Sequence, residues 1–282
     1  VLIDPGLPPN IGSYRPVKVI APAGTVVNSK HPAALANATI ITSPKVVDVI
    51  LGALVTVFPK QAAAASNGVT SLMNIGGVDP GTNSLYNYIE TYAGGQGAMH
   101  NQDGMDAVQC HMTNTRNASV EVIESSYPLV VRRYGLVPDS DGPGQYRGGL
   151  GMNREIEVLS EKTTLTVSTD RMKLKPWGVF GGKEGSGSHC YIDKPDGTRK
   201  ELSFSKMTQR IEKGDVVIIN TPGAGGWGKP RDRDPERVLY DVSEGLISPG
   251  RAESEYGVSV EKNTNGTFHL NIDKTNRFRG VN

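Results

Sequence analysis

The sequence predicts an α+β fold that is rich in β-structure, with mixed sheets and few helices. Its 282 residues include 34 glycines and 18 prolines, a composition typical of many turns that join short elements. Strand-like segments follow one another through the second half, whereas residues 44–58 have the apolar spacing of a helix. We therefore expect a mixed α/β portion over residues 1–118, which carries a glycine-rich site loop, and a β-rich C-terminal portion over residues 119–282.

The helix is the clearest element of the N-terminal portion. Ser43 is a typical N-cap, Pro44 fits the first helical position, and Pro59 ends the apolar pattern. Additional apolar residues widen its stripe, which predicts a helix buried on most sides. Strands are expected at Tyr14–Ile20, Thr25–Asn28, Ala38–Thr42 and Ser84–Tyr92.

In the C-terminal portion, alternating apolar residues and turn pairs predict a series of strands. Pro195-Asp196-Gly197 is a typical hairpin turn, and Asp234-Pro235 begins a short helix that runs to about Glu244. The tail, residues 274–282, is expected to be loose. The predicted strands are Val120–Glu124, Leu129–Tyr134, Arg154–Leu159, Leu165–Thr169, His189–Asp193, Lys200–Phe204 and Val216–Asn220, with a closing hairpin of Tyr256–Val260 and Thr267–Ile272.

Charge and composition restrict the partners. The net charge of +1 gives no electrostatic reason to expect nucleic acid or an anionic membrane surface. No apolar run reaches the roughly 20 residues that a spanning helix needs. The two cysteines, Cys110 and Cys190, provide no disulfide framework and favour a reducing compartment. Because the chain opens on Val-Leu-Ile-Asp-Pro without a methionine, we expect a processed subunit or a fragment of a longer polypeptide.

The stretch Gly94–Asn117, the site loop, concentrates polar groups on a flexible backbone. It holds two of the five histidines, and its glycines permit close backbone approach to a ligand. This composition fits either a functional site or an internally hydrogen-bonded surface loop. The candidates for acid–base work are His100, Asp103, Asp106 and His111, and those for binding substrate are Asn101, Asn114 and Arg116.

Several familiar motifs are weak on inspection. Gly223–Gly228 matches a dinucleotide-binding pattern, but no helix opens on its glycines, and the Gly-Lys pair in Gly178–Gly187 lacks the spacing of a phosphate loop. We therefore expect the isolated chain not to bind ATP. A thiol nucleophile at Cys110 is disfavoured, because adjacent His111 would point away from it on a strand. Zinc or manganese bound by His100, Asp103 and His111 stays open as an alternative, without a strong spacing pattern.

Several blocks in one order resemble the hydantoinase B/oxoprolinase family. The central blocks are His111-Met-Thr-Asn-Thr-Arg-Asn117, Glu121-Val-Ile-Glu124, Tyr127-Pro128-Leu129, Arg133-Tyr134 and Gly142-x-Gly144-x-x-Arg147-Gly148-Gly149-Leu150-Gly151. Earlier and later blocks are Asn10-x-Gly12-Ser13-Tyr14-Arg15-Pro16, Ala21-Pro22-x-Gly24-Thr25-Val26-Val27-Asn28, Asp170-Arg171, Gly181-Gly182, Gly214-Asp215 and Gly223–Gly228.

This resemblance implies a component of a cytoplasmic, ATP-dependent complex that opens cyclic amides such as 5-oxoproline, hydantoins or lactams. The alternatives are a component of a ketone carboxylase acting on acetone or acetophenone, or a non-catalytic docking half of either enzyme. ATP and Mg are implied on a hydantoinase A-type partner subunit. The family's metal motifs lie upstream of the part that matches Val1, so any divalent zinc or manganese would belong to a missing N-terminal portion, and no metal ligand is assigned here.

The implied chemistry requires a general base and hydrogen-bond donors for developing charge. We expect His111→Ala and Asp103→Asn to lower turnover at least ~100-fold with little loss of stability, because exposed loop residues contribute little to folding. We also expect His100, Asp103 and His111 to line one shared cavity.

Overall fold

The computed structural model describes residues 6, 8, 10–203 and 206–280. Within them two antiparallel sheets form the main body, and smaller helical elements flank it. The strands are β1 (Ser71–Val78), β2 (Leu85–Tyr92), β3 (Leu129–Leu136), β4 (Met152–Val158), β5 (Thr163–Ser168), β6 (His189–Asp193), β7 (Arg199–Glu201), β8 (Lys206–Ile211), β9 (Val216–Asn220), β10 (Val260–Lys262) and β11 (Phe268–Leu270). The α-helices are α1 (Ile11–Tyr14), α2 (Ser43–Leu54), α3 (Val120–Ser126), α4 (Pro235–Ser243), α5 (Pro249–Tyr256) and α6 (Ile272–Arg279). The expected β-rich α+β class is confirmed.

The two main sheets share one hydrophobic core. The first has the order β2-β1-β5-β8 and the second β3-β4-β9-β6-β7, with antiparallel pairing throughout. Met73 and Leu165 of the first sheet join Ile156 and Ile219 of the second in one cluster of fully buried side chains. Because β1 and β2 pair in one sheet with β5 and β8, the portions before and after residue 118 are joined through this sheet; the domain boundary itself stays a prediction.

Strands β10 and β11 form a separate hairpin that packs with helices α4 and α5. Val238 and Val242 of α4 and Tyr256 of α5 are buried in this second, smaller cluster. The tail expected to be loose instead forms α6 as far as Arg279, capped by Asn271, whose side chain accepts from Lys274 N. The side-chain cap at Asn271 stabilises the first turn of this helix.

Three predicted strands near the N-terminal side are wrong. Tyr14–Ile20 has no ladder; its first residue ends α1, which Asn10 caps by accepting from Gly12 N. Thr25–Asn28 contains only an isolated bridge between its end residues. Ala38–Thr42 forms a π-helical turn that continues directly into α2, because the helical hydrogen bonding starts before the predicted cap.

Helix α2 is real, but the prediction that it is buried on most sides is wrong. It ends at Leu54, and within it Pro44, Asp48 and Leu51 are the buried positions. Val49 is 68% exposed and Ile50 is 52% exposed. An apolar helix face is therefore open to solvent in this chain.

Residues 120–124 form a helix instead of the predicted strand. In α3 only Ile123 is buried, while Val122 is 54% exposed. The segment therefore lacks the alternation of buried and exposed side chains that a strand would show. Strand β1 has no counterpart among the predictions. The predicted strands at β2 to β6 and β9 are confirmed. The strand predicted at 200–204 begins in β7, and its last residue lies outside the described residues.

Candidate functional site

The site loop is held against two other glycine-rich segments, Gly142–Gly151 and Pro222–Gly228, by backbone hydrogen bonds. Gly95 N donates to Pro222 O at 3.0 Å, and Ala98 N donates to Gly225 O at 3.0 Å. Gly149 N donates to Gln96 O at 2.9 Å. The glycine-rich segments thus bond to one another through their peptide groups.

These contacts explain the glycine motifs. A Cβ built on Gly223 would lie 1.8 Å from Ser140 O, and one on Gly182 would lie 2.1 Å from Gly226 O. Such separations leave room only for hydrogen beside the neighbouring backbone. The space beside the Gly223–Gly228 segment is therefore occupied by neighbouring backbone, which leaves no room for a phosphate group.

Asp103 ties the site loop to the segment around α4. Its carboxylate accepts from Arg233 Nη1 and Nη2 at 2.8 and 2.9 Å, and from Arg237 Nη2 at 2.6 Å. It also accepts from the backbone N–H of Arg147 at 2.9 Å. Because the Arg233 side chain is 1% exposed, this is a buried, two-pronged ion pair rather than a free carboxylate.

Asp106 belongs to the same network. It accepts from Arg147 Nη1 at 2.8 Å and Nη2 at 3.1 Å, and from Leu150 N at 2.8 Å. Asp241 joins the two halves, since it accepts from Arg147 Nε at 3.3 Å and from Arg233 Nη2 at 2.7 Å. We call these five residues the arginine–aspartate network: Asp103, Asp106, Arg147, Arg233 and Asp241.

The network fixes the charge of Asp103. Burial alone would raise its pKa, but hydrogen bonding and charge interaction with Arg233, then Arg237 and Arg147, hold the pKa below the ordinary 3.8. A carboxylate held ionised in this way is a weak proton acceptor at neutral pH. The premise that Asp103 is an exposed, unpaired loop residue is wrong, so we now expect its replacement to affect stability.

We expect Asp103→Asn to lower the free energy of unfolding by about 3 kcal/mol at neutral pH, because buried Arg233 loses one of its two carboxylate partners and keeps only Asp241. The folded-state pKa of Asp103 is depressed, so its contribution is fully present above about pH 4 and is lost as pH falls through the folded value. Urea unfolding at several pH values measures the difference between the two proteins.

The matched control is Asp193→Asn, which breaks an exposed pair with Arg199 and should cost less than about 1 kcal/mol. If the gap between wild type and Asp103→Asn stayed constant from neutral to strongly acid pH, the ionised pair would not be the source of stability.

His111 belongs to a different cluster, centred on Asp48 of α2. Its Nε2 lies 2.9 Å from Asp48 Oδ1, which also accepts from Ser66 N at 3.2 Å. Asp48 Oδ2 accepts from Arg171 Nη2. Asp48 is 2% exposed and Arg171 is 7% exposed. We call His111, Asp48 and Arg171 the histidine–aspartate cluster.

The backbone of this cluster is strained. His111 has a φ of 61° and Arg171 a φ of 65°. Both values lie in the left-handed region, which residues other than glycine seldom adopt. Strain of this kind costs on the order of 1–3 kcal/mol per residue and concentrates at functional sites. The imidazole of His111 is 13% exposed, so most of the ring is buried and a small part contacts solvent.

Among the described residues, the other predicted site residues make no hydrogen bond to either cluster. The His100 ring lies 6.5 Å from the Trp227 ring, and its buried Nδ1 has no hydrogen-bond partner among the described residues. Asn101, Asn114 and Arg116 are exposed. Their roles in binding substrate stay predictions.

His100, Asp103 and His111 therefore contact different partners. The metal set suggested for them is wrong, and their shared cavity stays a prediction. Across residues 10–203 and 206–280, no group of three or more His, Cys, Asp or Glu side chains is arranged to hold a metal ion. Burial raises the pKa of the Cys110 thiol to about 12, which keeps it protonated and supports the rejection of a thiolate nucleophile.

The sequence reasoning missed Asp48, Arg147, Arg171, Arg233 and Asp241. One signal was available: Asp48 interrupts an otherwise apolar helical stripe, and a buried carboxylate needs a partner. Arg147 and Arg171 stand in the blocks that resemble the family, but no local pattern indicated their aspartate partners. Among the described residues no helix is long and apolar enough to cross a membrane.

Comparisons with known proteins agree with the blocks found in the sequence. The family model described as hydantoinase B/oxoprolinase matches residues 1–230. An uncharacterised protein of Methanocaldococcus jannaschii is 41% identical over 280 residues, covering 99% of this chain and 48% of that protein. A protein of Pseudomonas sp. described as the B-type subunit of a D-/L-hydantoinase is 34% identical, over 97% of this chain and 45% of its own length.

The crystal structure of an ATP-dependent caprolactamase from Pseudomonas jessenii has a similar fold. The TM-score is 0.82 at 28% identity, over 97% of this chain and 48% of that chain. The present chain thus spans about half the length of the relatives it matches. Taken with the family match over residues 1–230, these findings show that the chain belongs to the hydantoinase B/oxoprolinase family.

Proposed function

We propose that this chain forms about half of a B-type subunit in an ATP-dependent enzyme that opens cyclic amides, such as hydantoins, 5-oxoproline or lactams. The observation that carries the proposal within the chain is the histidine–aspartate cluster, in which strained His111 lies against buried Asp48. Family membership and the similarity to a B-type hydantoinase subunit and an ATP-dependent caprolactamase support the reaction class.

Amide resonance makes the carbonyl carbon of a cyclic amide a poor electrophile. Transfer of the terminal phosphoryl group of ATP to the carbonyl oxygen releases ADP and creates a leaving group. Water then attacks the carbon, the ring nitrogen takes up a proton, and the ring C–N bond breaks to leave an acyl phosphate. A second water hydrolyses this acyl phosphate to the carboxylate and inorganic phosphate. This sequence needs a group that accepts a proton from water and returns one to nitrogen.

His111 is suited to that proton transfer. A neutral imidazole accepts a proton at one nitrogen while donating from the other, and Asp48 fixes the ring by bonding to Nε2. We propose His111 as the acid–base residue and Asp48 as its positioning residue. In this assignment Asp103 and Asp106 hold the site loop in place and carry no proton transfer.

ATP fits a partner better than this chain. The Gly223–Gly228 segment is filled by neighbouring backbone, with Gly225 N donating to Ala65 O at 2.8 Å, so its peptide N–H groups are not free for phosphates. We therefore propose an A-type partner subunit as the carrier of nucleotide and Mg, within a cytoplasmic complex. Any divalent metal would be held by the part of the subunit beyond this chain.

Part of the surface is apolar and open to solvent. Val19 is 83% exposed, Val26 76% and Val49 68%, and a groove of about 470 Å³ runs beside Val26 and Val46. Surfaces of this kind are typical of interfaces. We propose that the half of the B-type polypeptide absent from this chain covers it.

The test is ATP hydrolysis by the chain co-expressed with the remaining half of the subunit and the A-type subunit. We expect hydantoin, 5-oxoproline or caprolactam to stimulate hydrolysis of ATP and ring opening together. Stimulation only by acetone or acetophenone with bicarbonate would instead identify a carboxylase, and no coupled stimulation would indicate a docking role. The same preparation tests the surface: the chain should co-purify with the remaining half, and a stable monomer would contradict this.

A further inference from the structure

A cavity of about 410 Å³ lies beside the histidine–aspartate cluster. Three cations, Lys45, Arg171 and Lys173, line it together with one carboxylate, Asp170. Two apolar side chains, Met172 and Leu174, complete much of its wall. The cavity therefore combines an excess of positive charge with an apolar side, although the whole chain carries a net charge of only +1.

We propose that this cavity binds a small oxyanion, a phosphate or a carboxylate group, through Lys45, Arg171 and Lys173. Three positive charges against one negative charge leave a local surplus of two on the lining residues. Asp48 reduces this surplus by one, because it bonds Arg171 from behind, and a positive balance remains. Such a balance in a partly enclosed space attracts and orients anions.

Arg171 is built into the protein as a prepared donor. Its backbone N–H donates to Asp170 Oδ1 at 2.7 Å, and its Nε donates to Asn67 O at 3.2 Å. Nη2 donates to Asp48 Oδ2, whereas Nη1 has no hydrogen-bond partner within the described part of the chain. A guanidinium fixed on two of its nitrogens, with the third unpaired, loses little freedom when it binds an oxyanion.

Lys45 also lines the cavity. Its ammonium group pairs with Asp170, which uses one of three donors and leaves two for a ligand. Burial and the charge of Arg171 lower the pKa of Lys45 to about 8, while Asp48 acts in the opposite direction. Lys45 is thus charged at neutral pH, but its charge is costly, and an incoming anion would relieve that cost.

A second cavity is lined by two arginines, but its surroundings differ. The space of about 260 Å³ near Arg133 is also lined by Arg199 and Glu155. There Arg199 already makes two hydrogen bonds to Asp193, at 2.6 and 2.7 Å. The Arg199 side chain is 57% exposed, so water screens its charge, whereas the Arg171 side chain is only 9% exposed.

Both sources of the anion arise in the reaction proposed above. Hydrolysis of a phosphorylated cyclic amide releases phosphate and leaves a carboxylate on the opened product. This identification of the anion rests on the proposed function, but anion binding itself does not, because it can be measured without ATP or turnover.

The experiment is calorimetric titration of the full chain with inorganic phosphate, sulfate and acetate. We expect saturable binding, weakened at least ~10-fold by Lys45→Gln, since a charge-assisted hydrogen bond contributes roughly 1.5–3 kcal/mol and 1.4 kcal/mol corresponds to tenfold. Lys173→Gln, at an exposed position, should weaken binding in the same direction without risk to the fold. Preference for phosphate over acetate assigns the site to phosphate, and the reverse assigns it to carboxylate.

Lys175→Gln is the matched control, because this lysine lies two positions further along the same segment and pairs with Glu184. It should leave anion binding unchanged. Sulfate affinity should fall as pH rises above about 8, since Lys45 loses its proton in this range; the charged groups that face it are Asp48, Asp170 and Arg171. Absence of saturable binding, or equal affinity in wild type, Lys45→Gln and Lys173→Gln, would overturn the inference. Anion binding by a chain that fails the turnover assay would reject the proposed function alone.

Discussion

Replacing Gly97 by alanine is expected to leave little folded protein. A Cβ at this position would lie 1.8 Å from Ala64 O and 2.6 Å from Ala64 C, far inside the contact distance of carbon and oxygen. Ala64 cannot move away easily, because it is fully buried and its N–H donates to Ala98 O at 2.9 Å. We expect a loss of more than about 4 kcal/mol, a large share of the roughly 5–15 kcal/mol that keeps a domain folded.

Urea unfolding of the soluble fraction measures this loss, and Gly250→Ala is the matched control. Gly250 lies in α5, and a Cβ there would meet no atom within 4 Å. Alanine should stabilise this helix by about 0.5–1 kcal/mol. Unfolding of Gly97→Ala within about 1 kcal/mol of wild type would mean that the packed glycine segments can separate at small cost.

The sequence predicted those elements whose burial follows a simple local period. Strand β9, Val216–Asn220, is a continuous apolar run between turn signals, and its three central residues are buried. Strand β1 escaped prediction because Gly76 and Gly77 interrupt its pattern, although Ser71, Met73 and Ile75 alternate as buried positions. Its identity as a strand depends on pairing with β2 and β5, which no local pattern reveals.

The site was harder to predict than the fold. The stretch Gly94–Asn117 was correctly singled out as unusual, but its aspartates contact arginines that lie far along the chain: Arg233 is 130 residues from Asp103. Likewise Asp48 and Arg171 are 123 residues apart. Polar residue types indicate that partners are needed, whereas only the tertiary structure decides whether a carboxylate is paired with arginine or left to exchange protons.

His111→Ala is expected to lower turnover of the assembled enzyme at least ~100-fold, the usual scale for loss of an acid–base group. Stability should fall by only about 1 kcal/mol, because Asp48 keeps its bonds to Arg171 and Ser66 N.

His111→Asn is the companion variant, since asparagine tolerates the φ of 61° found here but cannot exchange a proton. His189→Ala, at an imidazole that is 49% exposed on β6, is the matched control and should be silent, as should Glu157→Gln on β4. A purely structural histidine would change the amount of active enzyme and leave the pH profile of kcat/KM intact. If His111 is the acid–base group, its loss removes one ionisation from that profile in both His111→Ala and His111→Asn. An unchanged profile would refute the assignment.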